Sequence, residues 1–322
     1  MVRVILSEKE RRFLAAASLS ADMSVKELAQ KLDMREHAVR YIQENLLARG
    51  IIRPLYHVNF FKLGYSDFGI YLGRGSETTA SRQRFEQIMG ASPAVFWLAK
   101  AGGESQYALS FLAEEPYELD DLFSSIRPTD SGVLLEKSLV LRLDWSIFPP
   151  TYLLPEAGER PCVTVSTKDP RVELDDIDRQ ILSTLSKNPD KTTAEVARIL
   201  GMKASSVLYR FEQLRKHEVI RAKRFMLDTT KVGVFNYRLL LLDRGLTAAQ
   251  QSQFLQLCRN NHHVLALLRC TGNWDFELRL ESESPLFIDH FCQHLYDLFG
   301  SAIGSIKTMQ QLSVLKHVAF PW

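Results

Sequence analysis

The segment 203–224 is rich in basic side chains, although the chain of 322 residues has a formal net charge of only +2. Its lysines and arginines far outnumber its two acidic residues, Glu212 and Glu218. Such a local excess of positive charge is what neutralising the phosphates of a nucleic acid requires. Short polar side chains in the same segment are able to bond phosphates or base edges. The candidate DNA-binding residues of this segment are Lys203, Ser205, Ser206, Tyr209, Arg210, Gln213, Arg215, Lys216, Arg221, Lys223 and Arg224.

A helix must present these residues on one exposed face. Val207, Phe211 and Leu214 recur at spacings of four and three, which predicts a helix whose apolar face packs on a core. Most of the polar candidates then lie on the solvent side. A shorter helix is predicted just before it, over 193–200, ending at Gly201. This order is typical of a helix-turn-helix whose last helix reads DNA.

Beyond this helix the pattern changes from helical to alternating. The sequence HEVIRAKRFMLD, 217–228, predicts a short hairpin, which would form the wing of a winged helix-turn-helix. The remaining residues predict the order β-α-β-β-α-β, which is typical of a ferredoxin-like domain. The predicted fold class is therefore α+β.

The chain contains this organisation twice. The segment beginning at Leu6 aligns without a gap with the segment beginning at Leu174 for about sixty residues, and weaker similarity continues downstream. We therefore predict two tandem copies of a winged helix-turn-helix followed by a ferredoxin-like (βαββαβ) domain. A Pro-rich stretch without apolar periodicity predicts an extended connector between the copies. The predicted boundaries are 1–58 and 59–148 for the first copy, 149–170 for the connector, and 171–228 and 229–322 for the second copy.

The first copy has fewer basic residues on its equivalent helix. Glu36 and Glu44 interrupt the positive face, and Ile42 stands where the second copy has Arg210. This helix either docks on the DNA backbone or only stabilises the assembly, and the sequence leaves both alternatives open. Its candidate DNA-binding residues are Arg35, His37, Arg40 and Tyr41.

Several classes of protein do not fit the sequence. No apolar run approaches the roughly 20 residues of a membrane span, and no signal peptide is recognisable, so we expect a cytoplasmic protein without membrane contact. The four cysteines form no CxxC pair. No P-loop, nucleophile elbow or Gly-rich dinucleotide turn occurs. We therefore predict no catalytic residues, metal or cofactor, and we expect that the protein is not an enzyme.

The residues resemble those of the Lrp/AsnC, or feast/famine, family of transcriptional regulators. The resemblance is carried by the Leu-Asp-x-x-Asp that begins at Leu174, by the Ser-x-Val-x-x-Arg that begins at Ser205, and by Gly233. Downstream, CTGNWDFELRL is similar to that family's Gly-x-aromatic-Asp turn. The resemblance covers both halves of the second copy and, more faintly, the first copy. It implies double-stranded DNA as a partner and a sensor domain that self-associates and binds a small effector such as an amino acid.

The same resemblance places the effector site at the turn Gly272, Asn273, Trp274 and Asp275. Glycine permits the tight turn, exposed amides would receive a carboxylate, and Asp275 would pair with an ammonium group. A plain β-turn with a core tryptophan is the alternative. In the first copy, AGGESQY has neither an aromatic residue nor an aspartate at the corresponding positions of the turn. A homodimer or larger assembly is expected, joined through apolar strands such as YRLLLL and HVLALL.

Two other functions remain open. The tandem architecture also resembles fused sirohaem decarboxylases, in which this fold holds a tetrapyrrole and His or Arg side chains act on its carboxylates. The density of basic residues on the second reading helix and the absence of a recognisable His and Arg cluster in the sensor halves count against this function. An interaction scaffold that no longer binds DNA fits the first copy better than the whole chain. The favoured hypothesis is a sequence-specific transcriptional regulator that responds to a small metabolite.

Overall fold

The computed structural model describes residues 4–73, 78–126, 137–154 and 160–320. Over these residues, the first copy begins with helices and continues as a mixed α/β domain. The elements are α1 (Glu8–Ala17), α2 (Val25–Leu32), α3 (Glu36–Ala48), β1 (Ile52–Val58), β2 (Ser66–Gly73), α4 (Thr79–Ala91), β3 (Val95–Gly103), β4 (Ser105–Ala113), α5 (Tyr117–Ile126) and β5 (Lys137–Ile147).

The second copy repeats this order after the connector, which confirms the predicted fold class. The connector contains a 3₁₀ turn, Thr151–Leu153, and one short strand, whereas 155–159 lie outside the described residues. The elements are β6 (Val163–Ser166) in the connector, then α6 (Asp176–Lys187), α7 (Thr193–Leu200), α8 (Ala204–Lys216), β7 (Ile220–Leu227), α9 (Thr229–Val232), β8 (Phe235–Asp243), α10 (Ala248–Asn260), β9 (Val264–Gly272), β10 (Phe276–Ser282), α11 (Leu286–Phe299) and β11 (Ile303–His317).

Local sequence determines where the helix-turn-helix begins and turns. Helix α7 starts behind Thr192, whose hydroxyl accepts a hydrogen bond from the Glu195 amide while the Glu195 carboxylate accepts one from the Thr192 amide. Hydrogen bonds from Thr192 hold the pKa of Glu195 below its ordinary value. The helix ends at Gly201, whose φ of +64° lies in the left-handed region that glycine adopts without strain. A tight turn then leads into α8.

Each α/β domain has the strand order of a ferredoxin-like sheet. The first copy gives β5-β2-β4-β3 and the second gives β11-β8-β10-β9, with antiparallel pairing between β10 and both of its neighbours. Leu278 of β10 lies opposite Leu239 of β8 and Leu267 of β9. Because side chains alternate between the two faces of a strand, these leucines share one face, which packs on α10 and α11.

The wing differs from the predicted hairpin. Residues 220–227 form one continuous strand, β7, which pairs with β1, the equivalent strand of the first copy. Hydrogen bonds flank the pairing, from the Asn59 amide to the Val219 carbonyl and from the Asp228 amide to the Ile51 carbonyl. Residues 220–227 contain no turn residue that would reverse the chain within them. Each strand thus covers an edge that would otherwise expose unpaired backbone groups.

Contacts divide the chain into two compact units that cut across the sequence copies. The first compact unit consists of Met1–Arg53, Leu143–Thr164 and Arg224–Leu312. The second compact unit consists of Pro54–Arg142, Val165–Lys223 and Ser313–Trp322. Each unit therefore combines the helix-turn-helix of one copy with α/β elements of the other.

The core of the first compact unit shows this exchange in its side chains. Phe13 and Leu46 of the first helix-turn-helix belong to the same buried cluster as Phe225, Val234 and Leu265 of the second copy. The rings of Phe13 and Phe225 lie 5.9 Å apart between centroids. The first helix-turn-helix thus completes its core with residues from the other half of the chain.

Candidate nucleic-acid interface

Helix α8 presents the second copy's candidate DNA-binding residues. Its N-cap is Lys203, which makes no side-chain capping bond and is exposed, as are Ser205 and Ser206. The Tyr209 side chain is 65% exposed, whereas Val207 is fully buried and anchors the helix. The first turn and a half of α8 therefore offers a polar, solvent-facing surface.

Arg210 has a different environment from the one predicted. Its Nη1 donates to Asp175 at 2.7 Å and to Asp178 at 2.8 Å, at the start of α6. These two bonds, the one to Asp178 first, raise the pKa of Arg210. The Asp178 amide and the Arg210 side chain lower the pKa of Asp175. Arg210 therefore belongs to an ion-pair network with Asp175 and Asp178 that links α8 to α6, and it is not a free cation facing solvent.

The remaining candidates of the second copy fall into two groups. Arg215 is exposed and lies over the Phe211 ring at 5.9 Å, and the half-buried Lys223 lies over the Tyr56 ring at 5.3 Å. Arg221 pairs with Glu218, three residues before it. Gln213 is partly buried, and Lys216 is exposed at the end of α8.

Arg224 departs furthest from its predicted place on an exposed wing. Its side chain is only 7% exposed, on β7 at the point where that strand enters the first compact unit. Strand alternation puts Lys223 and Arg224 on opposite faces, so their neighbouring positions in sequence do not give them a common surface. Arg224 is therefore not part of the exposed basic face.

The first copy keeps the exposure of its candidates but not the ion-pair network. Its candidates Arg35, His37, Arg40 and Tyr41 are all exposed. Ile42, at the position of Arg210, is 8% exposed and belongs to the core. Ser7 and Glu10, at the positions of the two aspartates, form a capping box, and Glu10 pairs with Arg49 at 3.0 Å. The first copy thus lacks the arginine and the first of its two acidic partners, and the second acidic position, Glu10, pairs with Arg49 instead.

The candidate effector turn is a tight connection between β9 and β10. Gly272 has φ of +130°, and Trp274 is buried with 3% of its surface exposed. The Asp275 carboxylate accepts a hydrogen bond from the Asp243 amide at 2.7 Å. Asp243 in turn accepts from the amides of Gly245 and Leu246, both at 2.7 Å.

Asp275 is thus one end of a network that holds the β8–α10 loop. Burial raises the pKa of Asp243, whereas hydrogen bonds from the amides of Leu246 and Gly245 and from Gln251 lower it. The pKa of Asp243 lies below its ordinary value as a result. Gly272 and Asn273 are the exposed members of the turn. In the first copy Gly103 keeps a positive φ of +106°, without the aromatic residue and the aspartate.

Comparison with known proteins agrees with this architecture. A family model described as winged helix-turn-helix DNA-binding matches residues 174–221. The transcriptional regulator Zrp of Zymomonas mobilis is 31% identical over 144 residues, which cover 44% of this chain and 82% of that protein. The transcriptional regulator FL11 of Pyrococcus abyssi is 23% identical over 147 residues, 46% of this chain and 93% of its own length.

The chain belongs to the Lrp/AsnC family of helix-turn-helix transcriptional regulators. The two regulators match 46% and 44% of this Lrp/AsnC chain, about the length of one of its two copies. Its winged helix-turn-helix and its role in transcription regulation follow from membership. No helix among the described residues of this family member is both long and apolar enough to cross a membrane.

One class of solved structure matches nearly the whole chain. The sirohaem decarboxylase NirDL covers 98% of this Lrp/AsnC chain and 94% of its own, with a TM-score of 0.59 and 14% identity. At that identity the likeness describes the fold. The match nevertheless contradicts the prediction that the protein is not an enzyme, because the solved structure that matches nearly the whole chain is an enzyme, whereas the regulators named above match less than half of it.

Sequence reasoning missed a buried polar cluster formed by the sensor domain of the second copy and Tyr152 of the connector. The Glu281 carboxylate accepts from Tyr152 at 3.0 Å, from Asn236 at 3.1 Å and from Arg279. Arg238 pairs with Glu277 on the same two strands. Burial and then Glu281 raise the pKa of Tyr152 far above its ordinary value. These residues are dispersed over 130 positions in sequence, and only the alternation of charge on β8 and β10 signals them.

Proposed function

We propose that the protein binds specific DNA sequences mainly through the second copy and that a small metabolite changes its DNA affinity. The exposed first turns of α8 carry this proposal, because Lys203, Ser205 and Tyr209 reach solvent on a helix anchored by Val207. Recognition helices of this motif contact base edges with their N-terminal residues in the major groove. Bonds to phosphates fix the register of such a helix, and contacts to base edges supply specificity.

The two N-cap residues give a matched test of which copy binds DNA. Lys203 caps α8 and Arg35 caps α3, and neither makes a side-chain capping bond. Lys203→Ala is expected to weaken binding to a selected duplex and to flatten the slope of log K against log salt by about one unit. Arg35→Ala is expected to change affinity much less, since fewer cations surround it. Fluorescence anisotropy over a salt series measures both.

Equal losses of affinity in the two variants would contradict the proposed asymmetry between the copies. Melting temperatures serve as the control, because both side chains are exposed and neither substitution should change stability by more than about 0.5 kcal/mol. Selection of duplexes from a random pool by the wild-type chain would supply the operator sequence.

For the metabolite, the proposed site is the turn of the second copy, and the proposed class is an amino acid. One relative, 26% identical over 152 residues, is the glutamate uptake regulatory protein of Zymomonas mobilis, and glutamate is an amino acid. Gly272 and Asn273 are exposed, and backbone amides in such a tight turn would be the donors for a carboxylate. Thermal melting of the full chain with each of the twenty amino acids tests this, and a melting temperature unchanged by all of them contradicts the proposed class.

A second candidate is chemistry on the carboxyl groups of a tetrapyrrole. The observation that favours it is the architecture, which follows NirDL over 98% of the chain; a NirDL structure also exists with an iron-uroporphyrin III analogue. Titration of the protein with iron-uroporphyrin III, followed by the visible spectrum, tests binding. Mass spectrometry of sirohaem incubated with the protein tests for loss of carboxyl groups. An unchanged spectrum and an unchanged substrate mass would contradict this candidate while leaving the DNA-binding proposal unaffected.

A further inference from the structure

Helix α8 exposes a large aliphatic side chain among its polar ones. Leu208 is the fifth residue of the helix and is 48% exposed, although its neighbour Val207 is fully buried. A single exposed leucine is common on protein surfaces and by itself indicates nothing. Its place in the helix makes Leu208 informative, because recognition helices contact base edges with their N-terminal residues.

Leu208 belongs to one exposed stripe along α8. Residues three and four positions apart lie on the same side of a helix, so a stripe forms at such spacings. The side that contains Val207 is buried and anchors the helix. The stripe on the solvent side consists of Ser205, Leu208, Tyr209 and Glu212, all of them exposed. Leu208 is therefore the aliphatic member of the side of α8 that a major groove can receive.

Helix α3 of the first copy has the same stripe with different chemistry at the position of Leu208. Both helices are 13 residues long, and the two copies align without a gap over them. The tyrosines of the two stripes have nearly the same exposure, 68% for Tyr41 and 65% for Tyr209. The equivalent stripe of α3 consists of His37, Arg40, Tyr41 and Glu44, all of them exposed. An arginine thus stands where α8 has Leu208.

The chemistry of the base edges gives these two side chains different partners. Leucine has neither a hydrogen-bond donor nor an acceptor, so Leu208 can recognise a base only through apolar contact. The apolar group that bases present in the major groove is the 5-methyl group of thymine. Arginine, as at Arg40, donates instead to the O6 and N7 atoms of guanine.

We propose that Leu208 selects a thymine in the DNA site of the second copy, through contact between its side chain and the 5-methyl group in the major groove. This inference rests on the proposed function, since it requires α8 to bind in a major groove, and it adds the base that one residue recognises. The contact removes apolar surface of both groups from water. Because Arg40 favours guanine at the equivalent position, the two reading helices of one chain prefer different base pairs there.

Replacing thymine by deoxyuridine tests this contact in the wild-type chain. Deoxyuridine pairs as thymine does but lacks the 5-methyl group. A duplex is first selected from a random pool, and each thymine of both strands is then replaced in a separate duplex. At the thymine that faces Leu208, affinity is expected to fall by at least about fourfold, which corresponds to the burial of one methyl group. Fluorescence anisotropy at constant salt measures each duplex.

Leu208→Ala separates Leu208 from any other side chain that contacts a methyl group. Discrimination between thymine and deoxyuridine is expected to disappear at one position of the duplex and to persist at the others. Because Leu208 is exposed and alanine favours a helix, α8 should stay folded, which the melting temperature verifies. Leu286→Ala, at a leucine of α11 that is 65% exposed, is the matched control and should keep the discrimination at every position.

Leu208→Arg gives α8 the residue that α3 has at this position. Selection from a random pool with this variant is expected to yield guanine where the wild type yields thymine, with the rest of the site unchanged. The affinity for the guanine duplex relative to the thymine duplex is expected to rise by at least about fivefold over the wild-type ratio.

Two results overturn the proposal about Leu208. One is a wild-type chain that binds the selected duplex and all of its deoxyuridine versions with equal affinity. The other is a Leu208→Ala variant that keeps the full discrimination at every thymine. Both results require a selected duplex that binds, so they leave the proposed function standing. A selection that enriches no sequence contradicts the proposed function itself, and the proposal about Leu208 fails with it.

Discussion

Lys203 at the N-cap of α8 and Arg210 within the helix are both basic, but their side chains lie in different environments. Lys203 is exposed at the N-cap, where an incoming phosphate would lie, whereas Arg210 already donates to Asp175 and Asp178. The sequence predicted both residues to bind DNA, Lys203 from the local excess of basic residues and Arg210 also from helical spacing. Spacing gives a residue's direction from the helix axis but not the identity of its partner, so it could not separate the two.

At residue scale we therefore expect Arg210→Ala to act through stability. Loss of the bonds to Asp175 and Asp178 should lower the free energy of unfolding by about 1 kcal/mol, a modest value because solvent screens a pair that is 27% exposed. Thermal melting of Arg210→Ala, Asp178→Ala and the double variant gives the coupling between the two side chains. Additive losses would contradict the network.

At the scale of elements, the β9–β10 turn and the β8–α10 loop act as one structure. The Asp275 carboxylate accepts a hydrogen bond from the Asp243 amide, and the Asp243 carboxylate accepts hydrogen bonds from the amides of Gly245 and Leu246. The sequence predicted the turn correctly from its glycine, but it assigned Asp275 to a ligand. The loop partner lies 32 residues away, and no local pattern reveals that pairing.

Asp275→Ala is therefore expected to destabilise the sensor domain of the second copy even without any ligand. The loss of one bond to a charged acceptor should cost about 1 to 2 kcal/mol in the free energy of unfolding. Asp275→Asn, which keeps a side-chain oxygen, should recover most of this stability. Chemical denaturation of both variants measures the difference. An Asp275→Ala variant as stable as the wild type would show that the loop does not depend on this bond.

The wing shows a second limit at this scale. Alternation over 220–227 predicted a strand, and a strand forms there, but its partner is β1 rather than the adjacent residues. Strand identity is a property of local sequence, whereas pairing depends on which edge remains unsatisfied after the rest of the chain has folded. The duplication makes two such edges available, and they satisfy each other.

At the scale of the whole molecule, the repeat in the sequence does not determine which copy's elements pack together. The sequence established the duplication and the order of elements from aligned residues. Each compact unit nevertheless joins the helix-turn-helix of one copy to α/β elements of the other. Because the two copies have the same fold, either combination would bury comparable apolar residues, and the sequence pattern cannot distinguish between them.

This packing also changes which apolar residues are available for self-association. The strands proposed to join protomers are buried within the chain: Leu240 is 5% exposed and Leu265 belongs to the core around the first helix-turn-helix. An exposed apolar residue occurs instead on β11, where Val314 is 43% exposed.

We expect a homodimer whose contact includes Val314 of β11, with a molar mass by light scattering of about twice the 36.8 kDa of one chain. A dimer places two strong reading helices on one duplex, with half-sites spaced by about one helical turn or a multiple of it. Val314→Glu should give a monomer with much weaker DNA binding, because one head binds alone. Ile5→Glu, at an apolar residue that is 85% exposed elsewhere, is the control and should leave the dimer intact. A wild-type chain that stays monomeric at micromolar concentration, also when bound to DNA, would contradict the dimer and leave the two copies of one chain as the pair of heads.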